Sequence, residues 1–127
     1  MLHIDDDERI RDLVALAMEL NDEVSLIQAA NGTDGLRLAR QLKPDLILLD
    51  FMMPGLSGED VITEIHASPE IARIPVVFMT ARTTQADDEF MMSLGARDVI
   101  RKPFDPFQLP ERVSEFLTVE GIDVKCA

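Results

Sequence analysis

The chain is poor in basic residues. Its 12 lysines and arginines stand against 24 aspartates and glutamates, which gives a formal charge of −12. Such a charge repels nucleic acid and anionic membrane surfaces unless a local basic patch overrides it, and the sequence contains no such patch. We therefore expect neither nucleic acid nor a membrane surface as a partner.

Cysteine and long apolar runs are also scarce. The single cysteine, Cys126, cannot form an internal disulfide, which fits a reducing compartment. No apolar run approaches the roughly 20 residues that a membrane-spanning helix needs, and no secretory signal segment opens the sequence. These features predict a soluble, cytoplasmic protein. Its 127 residues suffice for one domain with a hydrophobic core and are too few for two.

Short apolar runs alternate with segments in which apolar residues recur every three or four positions, a pattern typical of strands alternating with helices. The predicted strands cover residues 2–4, 24–29, 45–50, 75–79 and 98–101. The predicted helices cover residues 8–20, 33–42, 57–66, 85–94 and 105–118, with Thr33 as the cap of the second and Asp105 as the cap of the last. Pro110 would forfeit one backbone hydrogen bond, so the last helix is expected to start irregularly and to become regular only from about Leu109. Five strands alternating with five helices through short connections require a mostly parallel sheet with helices on both faces.

Polar side chains occur where four of these strands end. Asp5 and Asp6 follow the first strand, Asp50 ends the third, Thr80 follows the fourth and Lys102 follows the fifth. Because the carboxyl ends of parallel strands meet at one edge of a sheet, we expect these side chains to converge. Three gathered carboxylates would repel one another by several kcal/mol at an effective dielectric of about 20, so the site needs a cation. Carboxylate oxygens are ligands that suit Mg²⁺.

Such a pocket favours a phosphoryl group as its ligand. A metal ion and Lys102 would attract an anion, and the Thr80 hydroxyl can donate a hydrogen bond to it. A carboxylate that becomes an acyl phosphate is a known route for phosphoryl transfer. Asp50, on the strand that we expect at the centre of the sheet, is the predicted nucleophile.

Four segments in order resemble the receiver domain of two-component response regulators: IDDD at residues 4–7, LLDFMMPGLSG at 48–58, FMTA at 78–81 and KPF at 102–104. The resemblance covers residues 1–118 and leaves 119–127 as a short C-terminal tail. It implies a flavodoxin-like, doubly wound α/β fold with a five-stranded parallel sheet in the order 2-1-3-4-5 and five helices. It also implies a cytoplasmic phosphoacceptor module that turns over no external substrate.

The resemblance implies both partners and phosphoryl ligands. Asp50 would take a phosphoryl group from phosphohistidine on a sensor histidine kinase or a histidine phosphotransfer protein, and the change would switch contacts with an unknown downstream protein. Thr80, Ala81 and Lys102 would bind the phosphoryl group, with Thr80 as the switch hydroxyl and Lys102 as the cation that pairs with the phosphoryl oxygens. The peptide between Lys102 and Pro103 is often cis in this family.

The resemblance also implies a metal site for Mg²⁺, with Mn²⁺ as a substitute. Asp6 would bind the ion directly and Asp5 through water, and Asp50 and the backbone carbonyl of Met52 would complete the protein ligands. Asp7 is predicted to cap the first helix instead of binding metal.

The sequence departs from the family at Val99, where many receivers carry an aromatic residue that rotates during switching. Two interpretations remain open: Val99 packs inward permanently and the loop after Thr80 carries the output, or the site couples to partners in another way. Arg82 lies in that loop, either solvated or within reach of the phosphoryl group.

Two other functions stay open. One is a phosphorylation-independent interaction module with the same fold. The other is a phosphohydrolase with an aspartyl-phosphate intermediate, although such enzymes usually carry a second acid two residues after the nucleophile, where this chain has Met52. The sequence is compatible with a free-standing regulator and with the receiver of a larger protein.

Overall fold

A computed structural model describes residues 1–81 and 84–120, with side chains as far as residue 117. Strands and helices alternate along the chain. The strands are β1 (Leu2–Ile4), β2 (Ile27–Ala29), β3 (Ile47–Asp50), β4 (Val76–Thr80) and β5 (Asp98–Arg101). The helices are α1 (Glu8–Met18), α2 (Gly32–Leu42), α3 (Gly58–Ala67), α4 (Gln85–Ser93) and α5 (Leu109–Glu120). None of the helices within these described ranges has the length and apolar character needed to cross a membrane.

The five strands form one parallel sheet in the order β2-β1-β3-β4-β5. The predicted doubly wound α/β fold and its strand order are therefore confirmed. β3 lies at the centre of the sheet, so its last residue, Asp50, reaches the middle of the carboxyl edge.

Helices cover both faces of this sheet. Every residue of β1, β3 and β4 is buried, as expected for parallel strands that are packed on both sides. On one face α2, α3 and α4 pack over a cluster that includes Leu36, Ile62 and Met91. On the other face α1 and α5 pack over a cluster that includes Val14 and Val113.

Capping side chains set the helix starts. The Ser57 hydroxyl accepts a hydrogen bond from the Asp60 backbone N–H, and the Asp60 carboxylate accepts one from the Ser57 N–H, which completes a capping box for α3. The predicted cap of α2 was wrong. Asn31, not Thr33, accepts from the Asp34 N–H at 2.8 Å, and α2 begins at Gly32. Glycine is required there because a Cβ at position 32 would lie 2.8 Å from the Cβ of Leu56.

Three predicted elements proved too long, and one of them is β3, which covers only Ile47–Asp50 of the predicted 45–50. β2 covers only Ile27–Ala29 of the predicted 24–29, because its partner β1 has three residues and the ladder ends with it. α1 ends at Met18, and Leu20, which was predicted on its apolar face, is 64% exposed.

The start of the last helix agrees with its sequence. Asp105 Oδ1 accepts a hydrogen bond from the Phe107 N–H, and the regular helix begins at Leu109, which places Pro110 in the first turn, where no intrahelical donor is lost. α5 continues to Glu120, two residues beyond the predicted boundary at 118. The remainder of the predicted tail, residues 121–127, lies outside the described residues.

Candidate functional site

The fold brings the predicted site residues to one edge of the sheet. Asp5 follows β1, Asp50 ends β3, Thr80 ends β4 and Lys102 follows β5. The Lys102 backbone N–H donates to the Thr80 carbonyl at 2.7 Å, which ties the two strand ends together. The peptide between Lys102 and Pro103 is cis. The strand ends that carry these residues therefore meet at one edge of the sheet, as predicted.

Three carboxylates form the centre of this edge. One oxygen from each of Asp5, Asp6 and Asp50 lies within 4.8 Å of the other two. Asp5 and Asp50 are buried, whereas Asp6 is exposed. An oxygen-only donor set that is open to water on one side fits a hard divalent cation such as Mg²⁺, which keeps several of its own waters.

Lys102 is the cation that the structure places against this cluster. Its Nζ lies 2.9 Å from Asp5 Oδ2 and 3.2 Å from Asp50 Oδ1, and its side chain is only 15% exposed. One ammonium against three carboxylates leaves the cluster with excess negative charge. The site therefore retains attraction for a further cation.

The environment shifts the pKa values of the two buried carboxyl groups, Asp5 and Asp50, in opposite directions. Burial and the neighbouring charge of Asp5 raise the pKa of Asp50 to about 7, and the attraction of Lys102 offsets only part of this. Burial also disfavours ionisation of Asp5, but polar contacts from His3, from the Asp7 N–H and from Lys102 outweigh it and lower its pKa to about 2. Asp5 is thus the fixed anion of the pair, and Asp50 is the carboxyl group that exchanges a proton near neutral pH.

The residues that follow β1 hold Asp5 in place. The Asp7 backbone N–H donates to Asp5 Oδ1 at 2.9 Å. The Asp7 side chain accepts from the Arg9 N–H, so Asp7 caps α1 as predicted. Arg11 Nη1 donates to the Asp5 carbonyl oxygen at 2.8 Å.

The loops on either side of Asp50 carry the remaining predicted residues. The Met52 N–H donates to Asp50 Oδ1 at 3.3 Å, and its side chain projects into solvent. Ala81 lies exposed directly after the buried Thr80. Val99 is half-buried and packs against the cluster beneath α2, α3 and α4. Arg82 lies outside the described residues.

Gly58 allows α3 to approach the loop that follows Asp50. Its N–H donates to the Phe51 carbonyl at 3.0 Å. A Cβ at position 58 would lie 2.7 Å from Phe51 Cα and 2.8 Å from the Asp50 carbonyl oxygen. Both are backbone atoms that cannot move aside alone, so glycine fixes the position of the Asp50 strand end.

His3 is the residue near the site that sequence reasoning missed. The sequence pattern pairs it with no acid or nucleophile, yet its ring is fully buried and its Nε2 lies 3.7 Å from Asp5 Oδ2. Its Nδ1 lies 3.0 Å from Gln28 Nε2 on β2. Burial lowers the pKa of His3. The available signal was a lone polar residue in an apolar strand, two positions before Asp5 and therefore on the same side of it.

Comparisons with known proteins agree with this geometry. The family model described as the response regulator receiver domain matches residues 1–114. The chain is 31% identical over 135 residues to the DNA-binding response regulator MtrA of Mycobacterium leprae, an alignment that covers 98% of this chain and 58% of that protein. It is 37% identical over 92 residues to protein PilH of Pseudomonas aeruginosa, covering 72% of this chain and 76% of PilH. The chain spans about half the length of the MtrA proteins that it matches.

Solved structures show the same architecture. The receiver domain of the Francisella response regulator 1452 superposes with a TM-score of 0.86 at 25% identity, covering 94% of this chain and 97% of that one. The signal receiver domain of a DNA-binding response regulator (merR) from Colwellia psychrerythraea superposes with a TM-score of 0.82 at 29% identity and the same coverage.

Proposed function

The chain belongs to the response regulator receiver domain family, and we propose that within it the protein is a phosphoacceptor module of a two-component phosphorelay. A sensor histidine kinase or a histidine phosphotransfer protein would donate a phosphoryl group from phosphohistidine to Asp50. The observation that carries this proposal is the position of Lys102 Nζ between Asp5 and Asp50 at the edge of a three-carboxylate cluster.

Asp50 acts as the nucleophile in this proposal. One of its carboxylate oxygens attacks phosphorus, the phosphorus–nitrogen bond of phosphohistidine breaks, and the electron pair remains on the imidazole nitrogen, which takes up a proton. The reaction needs the ionised carboxylate, which burial and Asp5 disfavour. Mg²⁺, or Mn²⁺ in its place, held by Asp5, Asp6, Asp50 and the Met52 carbonyl, would supply positive charge to these carboxylates and to the phosphoryl oxygens.

Lys102 and Thr80 would respond to the new group. The phosphoryl group adds roughly −1.5 to −2 charges at the edge of the sheet. Lys102 can turn from the carboxylates to a phosphoryl oxygen, because its Nζ already lies 3.2 Å from Asp50 Oδ1. The Thr80 hydroxyl, at the end of the adjacent strand, can donate a hydrogen bond to another oxygen, and the backbone at Ala81 moves with it. This movement of Thr80 and Ala81 toward the phosphoryl group would be the conformational change that a downstream protein recognises.

The remaining parts of the proposal follow from the family. The protein would modify only itself and turn over no external substrate. Its output would be a change in protein contacts in the cytoplasm, since its charge of −12 offers no attraction for nucleic acid. The receiver domain would extend to Glu120, where α5 ends, two residues beyond the predicted boundary at 118.

Intact mass spectrometry tests this function. The protein is incubated with phosphoimidazole, whose phosphorus–nitrogen bond mimics that of phosphohistidine, with and without Mg²⁺. The matched variants are Asp50→Asn and Asp45→Asn, the second of which changes an exposed aspartate outside the cluster. We expect a gain of one phosphoryl group in the parent and in Asp45→Asn, only with Mg²⁺, and no gain in Asp50→Asn. A parent that gains nothing, or an Asp50→Asn variant that still gains the group, would contradict the proposal and favour an interaction module that works without phosphorylation.

A further inference from the structure

A buried polar chain runs behind the acidic cluster. His3 is fully buried on β1, and its Nδ1 lies 3.0 Å from Gln28 Nε2. The same Gln28 nitrogen donates to the Arg11 carbonyl oxygen at 2.8 Å. An amide nitrogen can only donate, so His3 Nδ1 accepts, and the ring hydrogen is on Nε2. This assignment holds because the Arg11 carbonyl fixes the orientation of the amide.

The Nε2–H group of His3 lacks an acceptor. It is buried and has no hydrogen-bond partner among the described residues. Asp5 Oδ2 lies 3.7 Å away, beyond the range of a hydrogen bond. A buried donor without a partner destabilises the fold, so its persistence here needs a reason.

Asp5 would need a new hydrogen-bond donor if Lys102 moved away from it. Its Oδ1 accepts from the Asp7 N–H at 2.9 Å, and its Oδ2 accepts from Lys102 Nζ at 2.9 Å. Lys102 also contacts Asp50 at 3.2 Å. If Lys102 turns to a phosphoryl group on Asp50, as the proposed function requires, the buried Asp5 Oδ2 loses this donor. Among the described residues, the hydrogen bond from the Asp7 N–H to Oδ1 then remains, and His3 Nε2 lies 3.7 Å from Oδ2.

We infer that His3 is a positioning residue whose Nε2–H becomes the hydrogen-bond donor to Asp5 Oδ2 when Lys102 engages the phosphoryl group. The inference rests on the proposed function. A movement of less than about 1 Å would bring His3 Nε2, now 3.7 Å from Asp5 Oδ2, within hydrogen-bond distance of it. The same movement would give the buried donor an acceptor and would replace the donor that Asp5 loses. His3 would thereby keep the Asp5 carboxylate in the orientation in which it can bind metal while Lys102 is occupied elsewhere.

Nuclear magnetic resonance tests the donor directly in the parent protein. The imidazole nitrogen shifts of His3 are expected to show hydrogen on Nε2 in the absence of a phosphoryl donor. With Mg²⁺ and acetyl phosphate present, the Nε2–H proton resonance is expected to move downfield as the hydrogen bond forms. Hydrogen on Nδ1, or an unmoved resonance in protein that mass spectrometry shows to be phosphorylated, would overturn the inference alone. A parent that gains no phosphoryl group would overturn the proposed function and the inference with it.

Two substitutions at His3 separate positioning from space filling. The readout is the Mg²⁺ concentration that gives half-maximal phosphorylation by acetyl phosphate. We expect His3→Val, which has no donor, to need about tenfold or more Mg²⁺, in the range seen when a ligand's hydrogen-bond partner is removed. His3→Gln places an amide donor near the position of Nε2 and is expected to restore the requirement to within about threefold of the parent. His66→Gln, at the exposed histidine of α3, serves as the control and should leave it unchanged.

Stability measurements complete the comparison. His3→Val removes the unsatisfied Nε2–H, but it also removes the Nδ1 that accepts from Gln28 Nε2. Both His3→Val and His3→Gln lose that acceptor, so we expect similar unfolding midpoints in urea for the two variants. A His3→Val protein that loses stability yet keeps the parental Mg²⁺ requirement would show that the ring only fills space, and it would overturn the inference. If His3→Val does not fold, two measurements still decide the question: the Nε2–H resonance of the parent and the Mg²⁺ requirement of His3→Gln. An unmoved resonance in the parent, together with a large rise in the Mg²⁺ requirement of His3→Gln, would contradict the donor role.

Discussion

Replacing Asp50 with asparagine is expected to stabilise the metal-free protein at pH 8. The buried Asp50 has a pKa of about 7 against an ordinary value of 3.8. A carboxyl whose pKa is raised by folding binds its proton more tightly in the native state, so ionising it destabilises the fold. This destabilisation is absent below pH 3.8, grows as the pH rises towards 7, and is complete above 7.

Two estimates give the size of the effect. Each pH unit between 3.8 and about 7 corresponds to about 1.4 kcal/mol, which sums to about 4 kcal/mol. Two charges at 4.8 Å, the largest separation in the cluster, repel by about 3 kcal/mol at an effective dielectric of about 20. The side chain of Asp50 is only 6% exposed, so water screens little of this repulsion. Asparagine is close in shape and can still accept from the Met52 N–H, so we expect Asp50→Asn to gain about 2–4 kcal/mol above pH 7.

Urea denaturation followed by circular dichroism, without divalent metal, measures this gain. The curves are recorded at pH 8 and pH 4.5 for the parent, for Asp50→Asn and for the exposed control Asp45→Asn. The advantage of Asp50→Asn should shrink at pH 4.5, where the parent carboxyl is mostly protonated, and Mg²⁺ should shrink it at pH 8 by stabilising the parent. An Asp50→Asn variant that is no more stable at pH 8, or one that is equally favoured at both pH values, would refute the electrostatic reasoning.

Three further changes test the same site. Lys102→Met leaves Asp5 and Asp50 without their shared cation and should lower the free energy of unfolding above pH 7 by about 3 kcal/mol or more, with recovery in Mg²⁺, as urea titrations would show. Gly58→Ala should cost about 1–3 kcal/mol in thermal unfolding because its Cβ would meet backbone, whereas Gly55→Ala, in open space at φ 78°, should cost about 1 kcal/mol. Calorimetric titration should find Mg²⁺ binding weaker at pH 6 than at pH 8, by up to about tenfold, because a proton on Asp50 competes with the metal. The first expectation would be contradicted if metal-free Lys102→Met were as stable as the parent. The second would be contradicted if Gly58→Ala lost no more stability than Gly55→Ala, and the third if Mg²⁺ affinity did not change with pH.

The parts of the molecule that the sequence predicted well are those with strong local signals. A short, wholly apolar run that ends in one polar residue marks a buried strand and its end, and this sufficed to place Asp50 and Thr80 at one edge. The strand before Lys102 has only two apolar residues, Val99 and Ile100, so its signal was weaker. The signals for the start of α5 were equally local. A capping aspartate, Asp105, precedes Pro106, and Pro110 fits only the first turn of the helix.

Three of the failures, at β2, at the cap of α2 and at His3, involve contacts between residues that are distant in the sequence. The length of β2 is set by its pairing with the three residues of β1. Residues 24–26 carry no signal that shows where this pairing ends. Asn31 and Thr33 are both good caps, so the local sequence could not choose between them, and the close approach of Gly32 to Leu56, 24 positions away, is not visible in the sequence. His3 gave no pattern of its own, because its partner Gln28 lies 25 residues further along the chain and on another strand.

Locating the phosphoryl group tests the central claim most directly. Protein treated with phosphoimidazole and Mg²⁺ is reduced with borohydride, which converts an aspartyl phosphate into homoserine, and is then digested and sequenced by mass spectrometry. We expect homoserine at position 50 and unmodified aspartate at positions 5 and 6. Homoserine at Asp5 or Asp6, or its absence from Asp50 in protein that has gained the phosphoryl mass, would contradict the assignment of Asp50 as the phosphoacceptor.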